Sequence, residues 1–68
     1  MSLDAALLEA HARDDRDALI SLYGRAADEA GDDVARGFYL THAYVFALEA
    51  GDARAEGLAA RLRKSGRL

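Results

Sequence analysis

VARGFYLTHAYVFALEA, residues 34–50, holds four of the five aromatic side chains of the chain, Phe38, Tyr39, Tyr44 and Phe46, together with Leu40, Val45 and Leu48. At about 100° per residue, Val34, Phe38, Thr41, Val45 and Leu48 fall on one seam at alternating steps of four and three. Tyr39, Leu40, Ala43 and Phe46 cover much of the remaining circumference. A helix that is apolar on nearly all sides needs cover on nearly all sides. This segment is therefore expected at the centre of an all-helical fold.

Upstream, Gly31 reads as a left-handed stop for a preceding helix, and Asp32 or Asp33 as the N-cap of the central one. The preceding helix runs from about Arg16 to Ala30. Its buried stripe is Leu19, Leu22, Tyr23, Ala26 and Ala30, widened by Ile20 and Ala27. Gly24 lies inside it at a cost of roughly 1 kcal/mol relative to alanine, which points to a neighbouring helix approaching there. Asp14 to Asp17 supply a turn and an N-cap. A short first helix opens at Ser2, carries Asp4 in its first turn and Leu3, Leu7 and Leu8 on its inner stripe, and ends near Ala12 or Arg13.

Downstream, the central helix closes at Gly51, and Asp52 can cap a fourth helix from about Ala53 to Lys64 with Leu58 and Leu62 inside. Residues 65–68 read as a frayed end. Connections this short make successive helices antiparallel neighbours. No proline interrupts a helix, and no alternating β-branched run suggests a strand. The expected fold is all-α, a four-helix antiparallel array of two αα-hairpins forming a single helical domain over residues 1–68.

Sixty-eight residues are near the lower limit for a self-sufficient core. With no cysteine, neither a disulfide framework nor a thiolate metal site is available. Met1 is followed by Ser2 and an acidic amphipathic stretch, so no secretory signal is expected. The longest apolar run, Ala43 to Leu48, is far short of a membrane span. A cytoplasmic location and no membrane partner follow as expectations, and the arginine-rich, lysine-poor, alanine-rich composition points to a GC-rich bacterial source. The net charge of −3 is uneven, with nine acids and three bases in residues 1–33 against one acid and five bases in residues 54–68. Helix dipoles explain acids early and bases late. Steering of a partner or a second copy is the sharper reading.

Leu8-Glu9-Ala10 recurs as Leu48-Glu49-Ala50, each followed by an acidic turn and a leucine-bearing helix. Self-similarity at about 40 residues suggests a helical-hairpin repeat. The stretch ARDDRDALISLYGRA, with Arg13-Asp14, Asp17-Ala18-Leu19 and Leu22-Tyr23, resembles the turn and second helix of a tetratricopeptide repeat. FALEAGDARAEGLAARL keeps Gly51-Asp52, Leu58 and Leu62 in the second copy. The resemblance implies a stack of helical hairpins. Residues 40–52 also resemble a segment of small bacterial proteins of unassigned function.

His42 with Tyr39 and Tyr44 is the most suggestive polar grouping, and a small-molecule or metal pocket around His42 and Tyr39 is the alternative functional reading. Two positions turn a helix by about 200°, so His42 and Tyr44 cannot converge on one ligand. Thr41 and His42 are expected to form a hydrogen-bonded polar edge instead. Catalysis would need His11, an aspartate and His42 gathered in one pocket. Asp14, Asp15, Asp17, Asp32 and Asp33 lack the order of a calcium loop, and Glu-x-x-His is absent, so capping is their expected role. Arg54, Arg61, Arg63, Lys64 and Arg67 form a candidate basic patch for nucleic acid, a thin footprint on a chain of net −3. No phosphate loop or nucleophile elbow occurs.

Enzyme activity, a cofactor and a bound metal are therefore not expected, and nucleic acid is disfavoured. The preferred reading is a non-catalytic protein–protein interaction module or adaptor that self-associates through its third helix. Its partner is another protein or a second copy of itself. The candidate interface is Phe38, Tyr39, His42 and Phe46, with Leu40, Ala43 and Leu48 facing inward.

Overall fold

The computed structural model describes residues 2–68. They form four helices, α1 (Leu3–Ala12), α2 (Arg16–Glu29), α3 (Asp33–Ala50) and α4 (Arg54–Lys64). Three residues make each connection, Arg13–Asp15, Ala30–Asp32 and Gly51–Ala53, which holds consecutive helices side by side. Among the described residues no helix is long and apolar enough to cross a membrane.

Each helix begins on an oxygen close in sequence. Ser2 Oγ accepts from the Ala5 amide at 3.1 Å, Asp15 from Ala18 at 3.1 Å and Asp32 from Ala35 at 2.8 Å. These bonds satisfy first-turn amides that have no partner within the helix. Asp52 caps differently: its carboxylate takes the Arg54 amide at 2.9 Å, so α4 begins one residue later than expected, and Ala53 in between offers no side-chain cap.

Three helices end in a shared pattern. The Asp15 amide donates to Ala10 O and the Asp14 amide to His11 O; Asp52 and Gly51 do the same to Ala47 O and Leu48 O, and Arg67 and Gly66 to Leu62 O and Arg63 O. The residue at the reversal is left-handed each time, with φ of 51° at Asp14, 62° at Gly51 and 78° at Gly66. These are Schellman closures, which use up the last free carbonyls. They pair Asp14-Asp15 with Gly51-Asp52 as equivalent points of the two hairpins.

Two expectations change here. Gly31 is not left-handed; Ala30 turns the chain instead, in an extended conformation (φ −66°, ψ 139°) that leads directly into the Asp32 cap. Residues 65–68 do not form a frayed end, because the closure at Gly66 carries Arg67 back to α3, where its guanidinium donates to Asp33 O at 2.9 Å.

The core lies where α3 meets α2 and α4. Leu40, Ala43 and Ala47 of α3 pack with Ile20 and Ala27 of α2 and Leu58 and Leu62 of α4. Three of these are alanines with no exposed surface; side chains this short let the helices approach closely. Helix α1 leans on α2, and only Ala10 of α1 is fully buried. With one neighbouring helix its inward stripe is narrow, and Leu8, expected inside, is 72% exposed. Leu48, also expected inside, is 56% exposed, because Ala43 and Ala47 take the inward positions of its turn. The helices together form a slab of 31 × 29 × 11 Å.

Candidate interaction surface

The side of α3 opposite Leu40, Ala43 and Ala47 is its outward side. Val34, Phe38, Val45 and Leu48 stand on it at 75%, 57%, 44% and 56% exposure, with Thr41 exposed between them. Thr41 returns its hydroxyl to its own helix, donating to Gly37 O at 2.8 Å, so its methyl group is left for the surface. The charged residues of α3 are Asp33, Arg36 and Glu49. None interrupts the seam from Val34 to Leu48, and Glu49 at its margin is joined to Arg16 of α2 at 3.1 Å.

Beside this seam the aromatic residues of three helices gather around Tyr23. Its ring stacks on His42 at 5.0 Å and on Phe46 at 5.9 Å, and meets His11 edge-on at 5.7 Å. His11 Nε2 and the Tyr23 hydroxyl share a hydrogen bond of 2.8 Å. Phe38 lies 4.4 Å from His42 and 5.5 Å from Tyr39, which carries the cluster onto the exposed face. Burial, with Tyr39 adding to it, pushes the Tyr23 phenol above its ordinary value, so it is protonated at neutral pH.

The four expected interface residues, Phe38, Tyr39, His42 and Phe46, are thus contiguous, but they are not equally accessible. Phe38 is open to solvent, whereas Tyr39 and Phe46 are half-buried against the core. His42 Nδ1 lies 2.9 Å from Phe38 O; a carbonyl only accepts, so Nδ1 donates to it. Thr41 and His42 do form the hydrogen-bonded edge. Tyr44 packs against the core away from the Tyr23 cluster. Sequence reasoning assigned Tyr23 to the buried stripe of α2 and missed it as the hub. The one available signal was that it is the fifth aromatic residue in a chain whose other four lie on α3.

No hydrogen bond joins a carboxylate to either histidine among the described residues, and no group there of three or more metal-ligating side chains comes together.

The basic residues are largely engaged inside the molecule. Arg54 bonds Asp17 at 2.6 Å, Asp52 at 2.8 Å and Ser21 at 2.9 Å, and Arg61 bonds Asp28 at 2.7 Å. Arg67 rests on α3, filling the space over Gly37. Among the described residues only Arg63 and Lys64 of the five have no such partner. The acidic front and the basic tail of the chain therefore face each other across α2 and α4.

The side-chain and backbone hydrogen bonds from Arg54 hold the Asp52 carboxyl down to about 2. An unfolded aspartate titrates near 3.9, so this contact stabilises the native state fully above about pH 4. That contribution fades as pH falls towards about 2. Asp52→Asn is expected to flatten the acid side of the stability profile in that window. Urea unfolding at stepped pH checks it, and an unchanged slope would refute the assignment.

Between α2 and α4 runs an open groove of about 490 Å³, with Ile20 and Leu58 at its base and Gly24 and Gly57 on its walls. A Cβ at either glycine would meet nothing within 4 Å, so the close approach expected at Gly24 is not made. Gly24→Ala should accordingly raise stability by up to about 1 kcal/mol. Gly51→Ala, at φ 62°, should lower it by roughly 1–2 kcal/mol. Urea midpoints of the two variants should move in opposite directions.

Fold and surface together define a small all-α, helical-hairpin protein. No family model matches the chain, and neither a characterised protein nor a solved structure matches it significantly.

Proposed function

We propose that the chain is a non-catalytic protein–protein interaction module that self-associates through the outward face of α3. The observation that carries this reading is the uninterrupted apolar seam at Val34, Phe38, Val45 and Leu48, four large side chains left in water on one helix. They are 44–75% exposed, so covering what remains of each contributes about 1–2 kcal/mol, a part of the roughly 1.5–3 kcal/mol of full burial. Together, at about 4–8 kcal/mol, they reach the lower part of the roughly 4–15 kcal/mol that association costs. The ion pairs of Arg54 and Arg61 also support a scaffold role for α4, since those guanidinium groups are already occupied by aspartates.

Light scattering over a wide concentration range tests the proposal. The expected mass is twice that of the 7.3 kDa chain in the micromolar range, falling towards one chain on dilution. Phe38→Asp should remain a single chain throughout with its helix content intact. A wild-type chain that is single even at millimolar concentration would overturn self-association.

A further inference from the structure

We propose that residues 65–67 form a strap whose arginine clasps a notch at Gly37 and restrains access to the outward face of α3, so that the strap must open before the face is covered. The restraint rests on the self-association just proposed, whereas the clasp stands on its own contacts.

The end of α4 aims the strap. Gly66 turns left-handed at φ 78°, the Arg67 amide returns to Leu62 O at 2.8 Å, and the Ser65 hydroxyl donates to the same carbonyl at 2.9 Å. Arg67 is thereby carried to the start of α3, where its guanidinium donates to Asp33 O at 2.9 Å. Its seat is a residue without a side chain. A Cβ at Gly37 would overlap the Nε, Cζ and Cδ atoms of Arg67. Gly37 is buried on a stretch of α3 where Val34, Phe38 and Thr41 are exposed, and Arg67 is the group that lies over it.

The place of the clasp decides its effect. Arg67 shares an open cleft of about 310 Å³ with Val34, Gly37, Phe38, Thr41 and His42, and three of these belong to the seam. The charged residues of α3 leave the seam clear, so the strap brings a charge to its edge. A guanidinium has five N–H donors. Among the described residues Arg67 uses its side chain on one acceptor, Asp33 O, and its remaining donors rely on water. An apolar surface closing over Val34 and Phe38 would strip that water from a charged group, which is unfavourable.

Opening the strap takes the charge out of the contact and gives up a single side-chain hydrogen bond. At the low end of the range for a charged donor, because the group is exposed, that bond favours the closed form by roughly tenfold. The apparent affinity for whatever covers the face falls by the same factor, since only the open form is competent to bind.

Sedimentation equilibrium of the full chain and three variants, joined to the heteronuclear NOE of the Arg67 Nε–H, tests the strap. In the wild type this NOE should match those of the helix amides. Gly37→Ala evicts the end of a flexible side chain and leaves the helix its shape, so the NOE should drop to that of a free side chain. Arg67→Ala and Gly37→Ala should each self-associate roughly tenfold more tightly than the wild type. Lys64→Ala, which removes a positive charge from the same end of α4 without touching the clasp, should match the wild type.

Equal tightening by Lys64→Ala would make the effect one of net charge and overturn the strap. Association that Arg67→Ala leaves unchanged or weakens would overturn it too, with self-association left intact. A free Nε–H in the wild type would remove the clasp whatever the mass. A one-chain mass for wild type and variants alike at millimolar concentration would remove self-association, and the restraint with it.

Discussion

Leu40→Ala is expected to leave most of the chain unfolded at 37 °C. Leu40 is 2% exposed and stands where α3 meets both α2 and α4, so its loss opens a cavity that neither neighbour can fill alone. Leucine-to-alanine changes in such positions cost about 2–5 kcal/mol. At about 0.05–0.15 kcal/mol per residue, a chain of this size has only some 3–10 kcal/mol in total. The melting temperature should fall by roughly 15–35 °C, read from helix circular dichroism. Leu8→Ala, at a residue 72% exposed, should change stability by less than about 0.5 kcal/mol. Equal losses at the two positions would show that the core is not where the three helices meet.

The second large effect is expected at Tyr23. Tyr23→Ala removes the ring against which His11, His42 and Phe46 pack, and should cost about 1.5–3 kcal/mol. The near-ultraviolet dichroism of the remaining aromatics should collapse. Tyr23→Phe keeps the ring and gives up only the 2.8 Å bond to His11, a loss of about 0.5–1.5 kcal/mol. The ratio between the variants separates ring packing from hydrogen bonding. If the phenylalanine variant were as damaged as the alanine one, the hydroxyl and not the stacking would be what holds α1 to the rest.

The architecture was legible because its signals are local. Ser2, Asp15 and Asp32 accept amides three residues ahead, and Gly51 closes α3 with the carbonyls just behind it. Such contacts depend on short-range chemistry that a single chain displays openly. The inward side of α3 was harder to read. Val34, Phe38, Val45 and Leu48 outweigh Leu40, Ala43 and Ala47 in apolar mass, yet the smaller set is buried, because close approach of helices selects for small side chains. Hydropathy counts mass and is blind to that requirement.

The same limit applies to the candidate site. Phe38, Tyr39, His42 and Phe46 share a helix and could be grouped by spacing, whereas Tyr23 and His11 join them only through the packing of α1 on α2 and of α2 on α3. The basic stripe looked free because the partners of Arg54 and Arg61 are Asp17 and Asp28, more than thirty residues earlier in the chain. The tail looked loose for the same reason, since what Arg67 binds is a carbonyl at the start of α3.

Most close helix-to-helix contact runs in chain order, α1 to α2, α2 to α3 and α3 to α4, with α2 and α4 joined besides through the side chains of Arg54 and Arg61. Helical proteins whose contacts are this local cross a low entropic barrier and fold within microseconds to milliseconds. The tie from Arg67 to Asp33 closes one of the longer loops in the chain. A contact spanning more than thirty residues closes at a higher entropic cost than one between neighbouring helices.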